Sequence, residues 1–282
     1  MERLKEEVFC ARNPMNHRQV SRVSLSPDVV DCIVFWTKDP RPFLPYLRSI
    51  ERLGYTFYFQ FTLNAYGRAM EPGIPEQQEI IETFQTLAGT IGRERVLWRY
   101  DPIILTTEYD EHYHHETFHR LAEQLCPHTD LCTFSFLDLY AKTKRNLKEF
   151  TLSEVAPERR ADMVRRLRSV ADHCNLTLKS CCEAAGLQEL GIPAGACIDK
   201  QRIERLLGKP LRVKRDRNQR VGCGCAASID MGAYNTCLHG CRYCYANVSQ
   251  TAVAANKAAH NRYSPLLVGD LQEGDAVNDR KG

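Results

Sequence analysis

The sequence predicts an α/β fold in which parallel strands alternate with helices, and three observations carry the prediction. Five short runs are near-continuously apolar, as strands buried on both faces are. They are VVDCIVFWTKDP (29–40), YTFYFQFTLN (55–64), RVLWRYDPIIL (95–105), LCTFSFLDLY (131–140) and LTLKSCCE (176–183). Stretches between them repeat apolar residues at helical spacing. Each run also closes on polar residues, and in α/β folds ligands sit at the carboxyl ends of the strands.

In chain order, the first run ends in Thr37 and Lys38 and the second in Thr62 and Asn64. Beyond the Pro-Gly-Ile-Pro at 72–75, Ile80, Phe84 and Leu87 mark a helix. The third run closes on Arg99 and Asp101, and Phe118, Leu121, Ala122 and Leu125 form the next stripe. Ser135 and Asp138 close the fourth. Met163, Val164, Leu167, Val170 and Ala171 then mark a helix with Pro157 near its start. The fifth run ends at Ser180 and Glu183. Such alternation builds right-handed βαβ crossovers into a sheet or barrel. One polar strand ending is more often a cap or ion-pair member than a ligand contact. Five in succession are harder to dismiss.

Past Glu183 the rhythm stops. AAGLQELGIPAGACIDK contains Cys197 and leads into the basic run KPLRVKRDRNQR, Lys209 to Arg220. Cys223 and Cys225 follow, then a short strand expected at ASIDMG and a loop, CLHGCRYCYA. A last helix is expected in ANVSQTAVAANKAAH, and the tail from Ser264, which has no periodicity, is expected to be loose.

Bulk composition excludes several classes. The chain has 282 residues, 43% hydrophobic and 26% charged, which suits a globular protein with a large core, as one domain or a domain with a lobe. No apolar run approaches the roughly 18 residues of a membrane-spanning helix. The start MERLKEEVFCARNP lacks the apolar segment of a signal peptide, so a cytoplasmic location is expected. A net charge of +3 gives no global footprint for nucleic acid. The local basic run reads better as a solvated connector than as a polyanion or phosphate site. Thirteen cysteines, an odd count, argue against a disulfide framework and for metal ligands plus a few buried thiols.

Cys237, Cys241 and Cys244 stand at a Cys-x3-Cys-x2-Cys spacing. A structural zinc takes four ligands, usually from two separated pairs. Three thiolates within eight residues instead suit one corner of an iron–sulfur cube and leave one iron without a protein ligand. Gly240 would let the backbone pass close to the cluster. Thiolates select iron–sulfur, zinc or copper(I), so donor type alone leaves the metal open. S-adenosylmethionine (SAM) can chelate an open iron, and an electron from the cluster then cleaves it to a 5′-deoxyadenosyl radical.

The Cys-x3-Cys-x-aromatic-Cys order, with Tyr243 as the aromatic, resembles the signature of radical SAM enzymes. GCRYCYA, TKDP and TLNAYGRAMEPGIP are similar to the spore photoproduct lyase-like branch. More closely, roughly residues 8 to 250 resemble a bacterial family catalogued as domain of unknown function 1848, through FWTKDP, WRYDP, CID, NQR and CGC…DMGAY. The resemblance implies a partial (β/α) TIM-like radical SAM barrel, circularly permuted so that the cluster-binding strand and loop come at the C-terminus. It implies a 4Fe-4S cluster on Cys237, Cys241 and Cys244 and a place for Tyr243 near the adenine of SAM. By position alone, Thr62, Arg99 and Ser135 are further candidates for cofactor contacts, and Asp101 and Asp138 are unranked candidates for holding substrate. A flavodoxin- or ferredoxin-type donor is expected, since the chain shows no reductase motif.

Cys181, Cys197, Cys223 and Cys225 match cysteines of the family pattern and are candidates for a second site, an auxiliary iron–sulfur cluster or a zinc, with Cys182 able to replace Cys181. Cys10, Cys32, Cys126, Cys132 and Cys174 read as plain thiols. The expected organisation is 1–185 as strand–helix units of a partial barrel, 186–226 as an irregular cysteine-containing segment, 227–263 as cluster loop and final helix, and 264–282 as tail. Family members begin with a strand ending in a Ser-Arg-Arg-Thr-Asp-Ile-Pro-like segment, so the first barrel strand is expected to be missing here.

Two rival signals remain. HETFH, His115 to His119, matches the His-Glu-x-x-His zinc protease pattern with Glu116 as base. Its apolar stripe should place that helix outside the sheet, away from the strand ends, and no third ligand follows. The other rival is a non-catalytic iron–sulfur or zinc module binding nucleic acid or a protein, with Trp36, Tyr66, Trp98 and Tyr100 as stacking groups. Those aromatics lie in or beside runs that read as core. The lyase likeness brings a nucleic-acid substrate into view, but the near-neutral charge gives it little support.

Overall fold

The computed structural model describes residues 1–280 apart from 154–155, 184–186 and 221. The chain begins with α1 (Glu2–Lys5), β1 (Val8–Arg12) and β2 (Gln19–Ser24), followed by β3 (Ile33–Thr37) and α2 (Leu47–Arg52). β4 (Phe57–Thr62), α3 (Gln77–Ile91), β5 (Val96–Ile103), α4 (Glu111–Leu125) and β6 (Leu131–Phe136) come next. Then follow α5 (Ala141–Asn146), α6 (Pro157–His173), β7 (Thr177–Ser180), α7 (Lys200–Leu207), α8 (Gln250–Ala258) and β8 (Ala276–Asp279).

All five apolar runs become strands, and β3 to β7 form one parallel sheet in chain order. The sheet is open, with β3 and β7 at its edges. Its two faces are covered differently. Alternate residues of β4, Phe57, Phe59 and Phe61, join the main core with the α3, α4 and α6 stripes. Phe61 lies 5.0 Å from Phe84 of α3, and Trp98 of β5 stacks on Phe118 of α4 at 4.9 Å. Each such ring removed from water contributes on the order of 1.5–3 kcal/mol. Because successive strand residues point to opposite faces, Tyr58, Leu97 and Leu131 face the other way and pack with Ile203 of α7 and with Leu211.

Local chemistry sets the helix ends. The Asp110 carboxylate accepts from Tyr113 N at 2.8 Å, that of Asp199 accepts from Gln201 N at 3.0 Å, and Ser249 Oγ accepts from Ala252 N at 3.1 Å. Pro157 opens α6, where its missing N–H costs nothing.

Two expectations fail at the C-terminal end. ASIDMG is not a strand: residues 227–232 are irregular, and Asp230 Oδ1 takes the Gly232 N–H at 2.7 Å. A short side chain that captures a nearby N–H competes with ladder formation. The tail is not loose over its described length. β8 lies parallel to β2, which is antiparallel to β1, and Leu266 is buried with Cys10 and Val20. Ion pairs Arg12–Asp275 and Arg22–Asp279, each 2.7 Å, tie the tail to that small sheet.

Candidate functional site

The carboxyl edge of the sheet gathers most of the polar endings. Lys38, just past β3, places Nζ 2.9 Å from Glu71 Oε1 and 5.5 Å from the centre of the Tyr243 ring. The Tyr243 hydroxyl donates to the same Glu71 oxygen. Burial beside that carboxylate drives the phenol far above its usual range, so it stays protonated as a donor. Asn64 Nδ2 reaches the Tyr243 oxygen at 3.4 Å, and the Tyr66 ring lies 6.0 Å from that of Tyr243. Thr62, Lys38, Asn64, Tyr66 and Glu71 line one small recess at this point.

The three-cysteine loop docks against the segment that follows β4. Gly73 N donates to His239 O and Arg242 N to Met70 O, both at 2.9 Å. A Cβ at Gly73 would meet the His239 carbonyl oxygen at 2.6 Å, so only glycine permits this approach. Gly240 turns the loop with φ +67°. The three thiols are free and close enough to feel one another. Burial pushes Cys241 up to about 12 and raises Cys237, while Lys38 acts the other way on both. Among the described residues, no three His, Cys, Asp or Glu side chains already surround a common point as ligands of a single metal ion do. The donor set nevertheless fits a 4Fe-4S group: three soft thiols on one loop, a glycine within it and a cation beside it.

Arg99 and Ser135 take a different place from the one expected. Asp101 accepts from both, from Arg99 Nε at 3.0 Å and from Ser135 Oγ. Arg99 Nη1 donates to Cys197 Sγ at 2.9 Å. Thr62 thus lines the recess whose Lys38, Asn64 and Glu71 meet Tyr243, whereas Arg99 reaches the second group of cysteines and Ser135 is tied to Arg99 through Asp101. Asn64 joins the two regions by gripping the Asp101 backbone through both amide atoms, at 2.9 and 3.1 Å. Asp138 is paired with Arg220. Glu183 accepts from Phe136 N at 2.7 Å, and burial pushes its carboxyl up to about 7.

The second group holds five cysteines. Cys181 Sγ and Cys197 Sγ lie 3.7 Å apart, and Cys225 Sγ accepts from Cys197 N at 3.1 Å and Ile198 N at 3.4 Å. Gly224, between Cys223 and Cys225, lies against Ala196 and Gly195, next to Cys197, and Cys182 adjoins Cys181. Hydrogen bonding with Cys197 holds Cys181 below the usual thiol range, and Cys197 together with the Ile198 backbone N–H does the same for Cys225. Cys182, the alternative to Cys181 that the sequence offers, stands beside it, but the sulfur contact with Cys197 is made by Cys181. Neighbouring strand residues point apart, but Cys182 has φ +54°, and the twin cysteines at the strand end were the visible hint.

The rival motifs dissolve into ordinary contacts. His115 pairs with Glu116 at 3.1 Å and His119 with Glu123 at 3.7 Å on the outer side of α4. Buried His114, which sequence reading passed over, bonds Tyr100 Oη at 2.7 Å and Ile104 O at 3.0 Å. Trp98 and Tyr100 are core residues, and Trp36 is half exposed.

Comparison with known proteins adds one family. A family model described as "Domain of unknown function (DUF1848)" matches residues 1–246. No curated protein matches. Among solved structures, the TTHB071 protein of Thermus thermophilus, soaked with zinc chloride, is 10% identical with a TM-score of 0.30, over 54% of this chain and 56% of that one. An O-GlcNAc hydrolase variant from Thermobaculum terrenum is 15% identical with a TM-score of 0.35, over 64% of this chain and 46% of that one. The chain spans about half the length of each.

Proposed function

The chain belongs to the family described as a domain of unknown function, DUF1848, and from that premise we propose that it is an iron–sulfur enzyme of the radical SAM type. One observation carries the reading. Three free cysteines share one loop that docks at the carboxyl edge of a parallel sheet, beside Lys38. Ligands of α/β proteins bind at that edge. Cys237, Cys241 and Cys244 would hold a 4Fe-4S cluster, with one iron left to SAM. The cluster and SAM, when bound, supply one-electron cleavage of the sulfonium carbon–sulfur bond.

The chain's own residues hold and shape the place. Lys38 offsets negative charge at the thiolates. Glu71 joins Lys38 and the Tyr243 hydroxyl, so ring and cation keep one orientation. Thr62 stands in the same recess. Arg99 and Ser135 hold the Asp101 carboxylate toward the strand ends, and Asn64 passes that positioning on to Tyr243.

The sheet is read as the arc of a partial (β/α) barrel. Its support is the chain-order succession of the strands and the filling of one face by the segment from Pro193 onward. A permuted order is supported by the late loop docking on residues that follow β3 and β4. Electrons would come from a flavodoxin- or ferredoxin-type partner.

The test is anaerobic reconstitution, iron and sulfide analysis, then reduction with SAM present. The reading predicts 5′-deoxyadenosine from the unaltered chain and none from Cys241→Ser. Colourless protein that takes up only zinc would favour a non-catalytic metal module instead.

A further inference from the structure

We propose that Cys181, Cys197, Cys223 and Cys225 bind a single zinc-type ion in a tetrahedral thiolate site, apart from the three-cysteine loop, and that this ion fastens the 193–226 segment to the sheet. Sulfur spacing is the first support. A metal–sulfur bond of about 2.3 Å in tetrahedral geometry sets neighbouring sulfurs about 3.8 Å apart, and Cys181 and Cys197 already stand at 3.7 Å. A disulfide would need about 2.05 Å. In a 4Fe-4S cluster each cysteine sits on a separate iron, which sets the sulfurs well apart; a 2Fe-2S cluster, with two cysteines on each iron, is distinguished from a single ion by its sulfide. Cys225 Sγ sits on the Cys197 and Ile198 backbone N–H groups, and Cys223 lies two residues before it, across Gly224, which lies against Gly195 and Ala196.

The surroundings suit an anionic thiolate centre. Three N–H groups already point at sulfur: Arg99 Nη1 at Cys197, and the Cys197 and Ile198 backbone at Cys225. Such outer contacts orient thiolates and offset their charge. Arg99 is buried, as are Cys223 and Cys225, so the centre would be shielded from water. Cys182 adjoins Cys181, but the sulfur contact with Cys197 is made by Cys181, so Cys182 is the neighbour left over.

The position gives the site a task. Cys181 follows β7, whereas Cys197, Cys223 and Cys225 belong to the covering segment. Of its apolar side chains on that face, Ile203 and Leu211 are buried, and Ile198, Leu206, Leu207 and Val213 are only partly so. Polar bonds add to the hold, as in those from Tyr58 Oη at 2.6 Å and Gln60 Nε2 at 2.8 Å to Cys197 O. Ligands from both sides of this contact would make the ion a cross-link whose binding energy is folding energy.

The test uses the full chain carrying Cys237→Ser, Cys241→Ser and Cys244→Ser, so that the loop contributes no metal. Purified with zinc, it should hold one ion per chain, with four sulfurs at about 2.3 Å by X-ray absorption. Cobalt in its place should show tetrahedral thiolate charge-transfer bands. Adding Cys197→Ser or Cys225→Ser should weaken metal binding by about tenfold or more, and adding Cys182→Ser should leave it intact. A folded parent without metal, stoichiometric iron with sulfide, or a disulfide among these cysteines would overturn the proposal. So would loss of metal on Cys182→Ser with retention on Cys181→Ser. The parent lacks the loop thiols, so failure here is separate from failure of the radical SAM reading.

Discussion

The two groups of cysteines in this molecule differ in number, depth and attachment. The loop group has three thiols, an exposed first member and a rim position where Lys38, Glu71 and Tyr243 meet it. The inner group has five, lies between the sheet and its covering segment, and has a buried arginine on one sulfur. Three donors at a rim suit a centre that must accept an outside ligand. Four donors in a buried seam suit one that closes on itself. Donor count and burial together, rather than cysteine content, separate reaction from fastening.

That contrast can be broken in several ways. The largest effect is expected from Cys241→Ser, which should take 5′-deoxyadenosine formation below detection while leaving metal in the inner group. Loss from both groups would merge what is here held apart. Next comes Arg99→Met, which leaves the part-buried Asp101 carboxylate with Ser135 as its side-chain partner. Losing the charged hydrogen bonds should cost about 1.5–3 kcal/mol, read as a lowered denaturant midpoint with an unchanged slope.

Acid offers a control that touches neither group. Burial holds His114 down to about 4, below its ordinary 6.5, so it is neutral in the fold. Between those values the unfolded chain binds the extra proton, and the sign is therefore that stability is lost as pH falls from about 6.5 to about 4. Thermal melts should show this slope, and His114→Gln should flatten it. The smallest effect is Tyr243→Phe, which removes one hydroxyl shared by Glu71 and Asn64. It should cost about 1–2 kcal/mol and loosen the loop, seen as faster amide exchange at 237–244, with no change in the inner group.

Much of the main sheet was legible because it is buried on both faces. Phe57, Phe59 and Phe61 face helices while Tyr58 faces the covering segment, so the run shows no polar alternation to confuse it. The small sheet was not. In β2 the buried residues are Val20 and Val23, three apart, which breaks the two-residue period, and all four residues of β8 are exposed. Strand ends named the right neighbourhood but not the right partners. Position alone could not tell that Arg99 turns to Cys197 while Lys38 turns to Glu71, because that choice depends on segments more than 30 residues away in each case. Twin cysteines after β7 marked the neighbourhood, but which of them meets Cys197 goes with a left-handed backbone angle at Cys182 that spacing does not reveal.

The most direct measurement is Mössbauer spectroscopy of the reconstituted full chain enriched in ⁵⁷Fe, before and after SAM is added. An open iron at the loop predicts that one of the four cluster irons changes its signal while three do not. Four irons that stay alike in the presence of SAM would contradict the account.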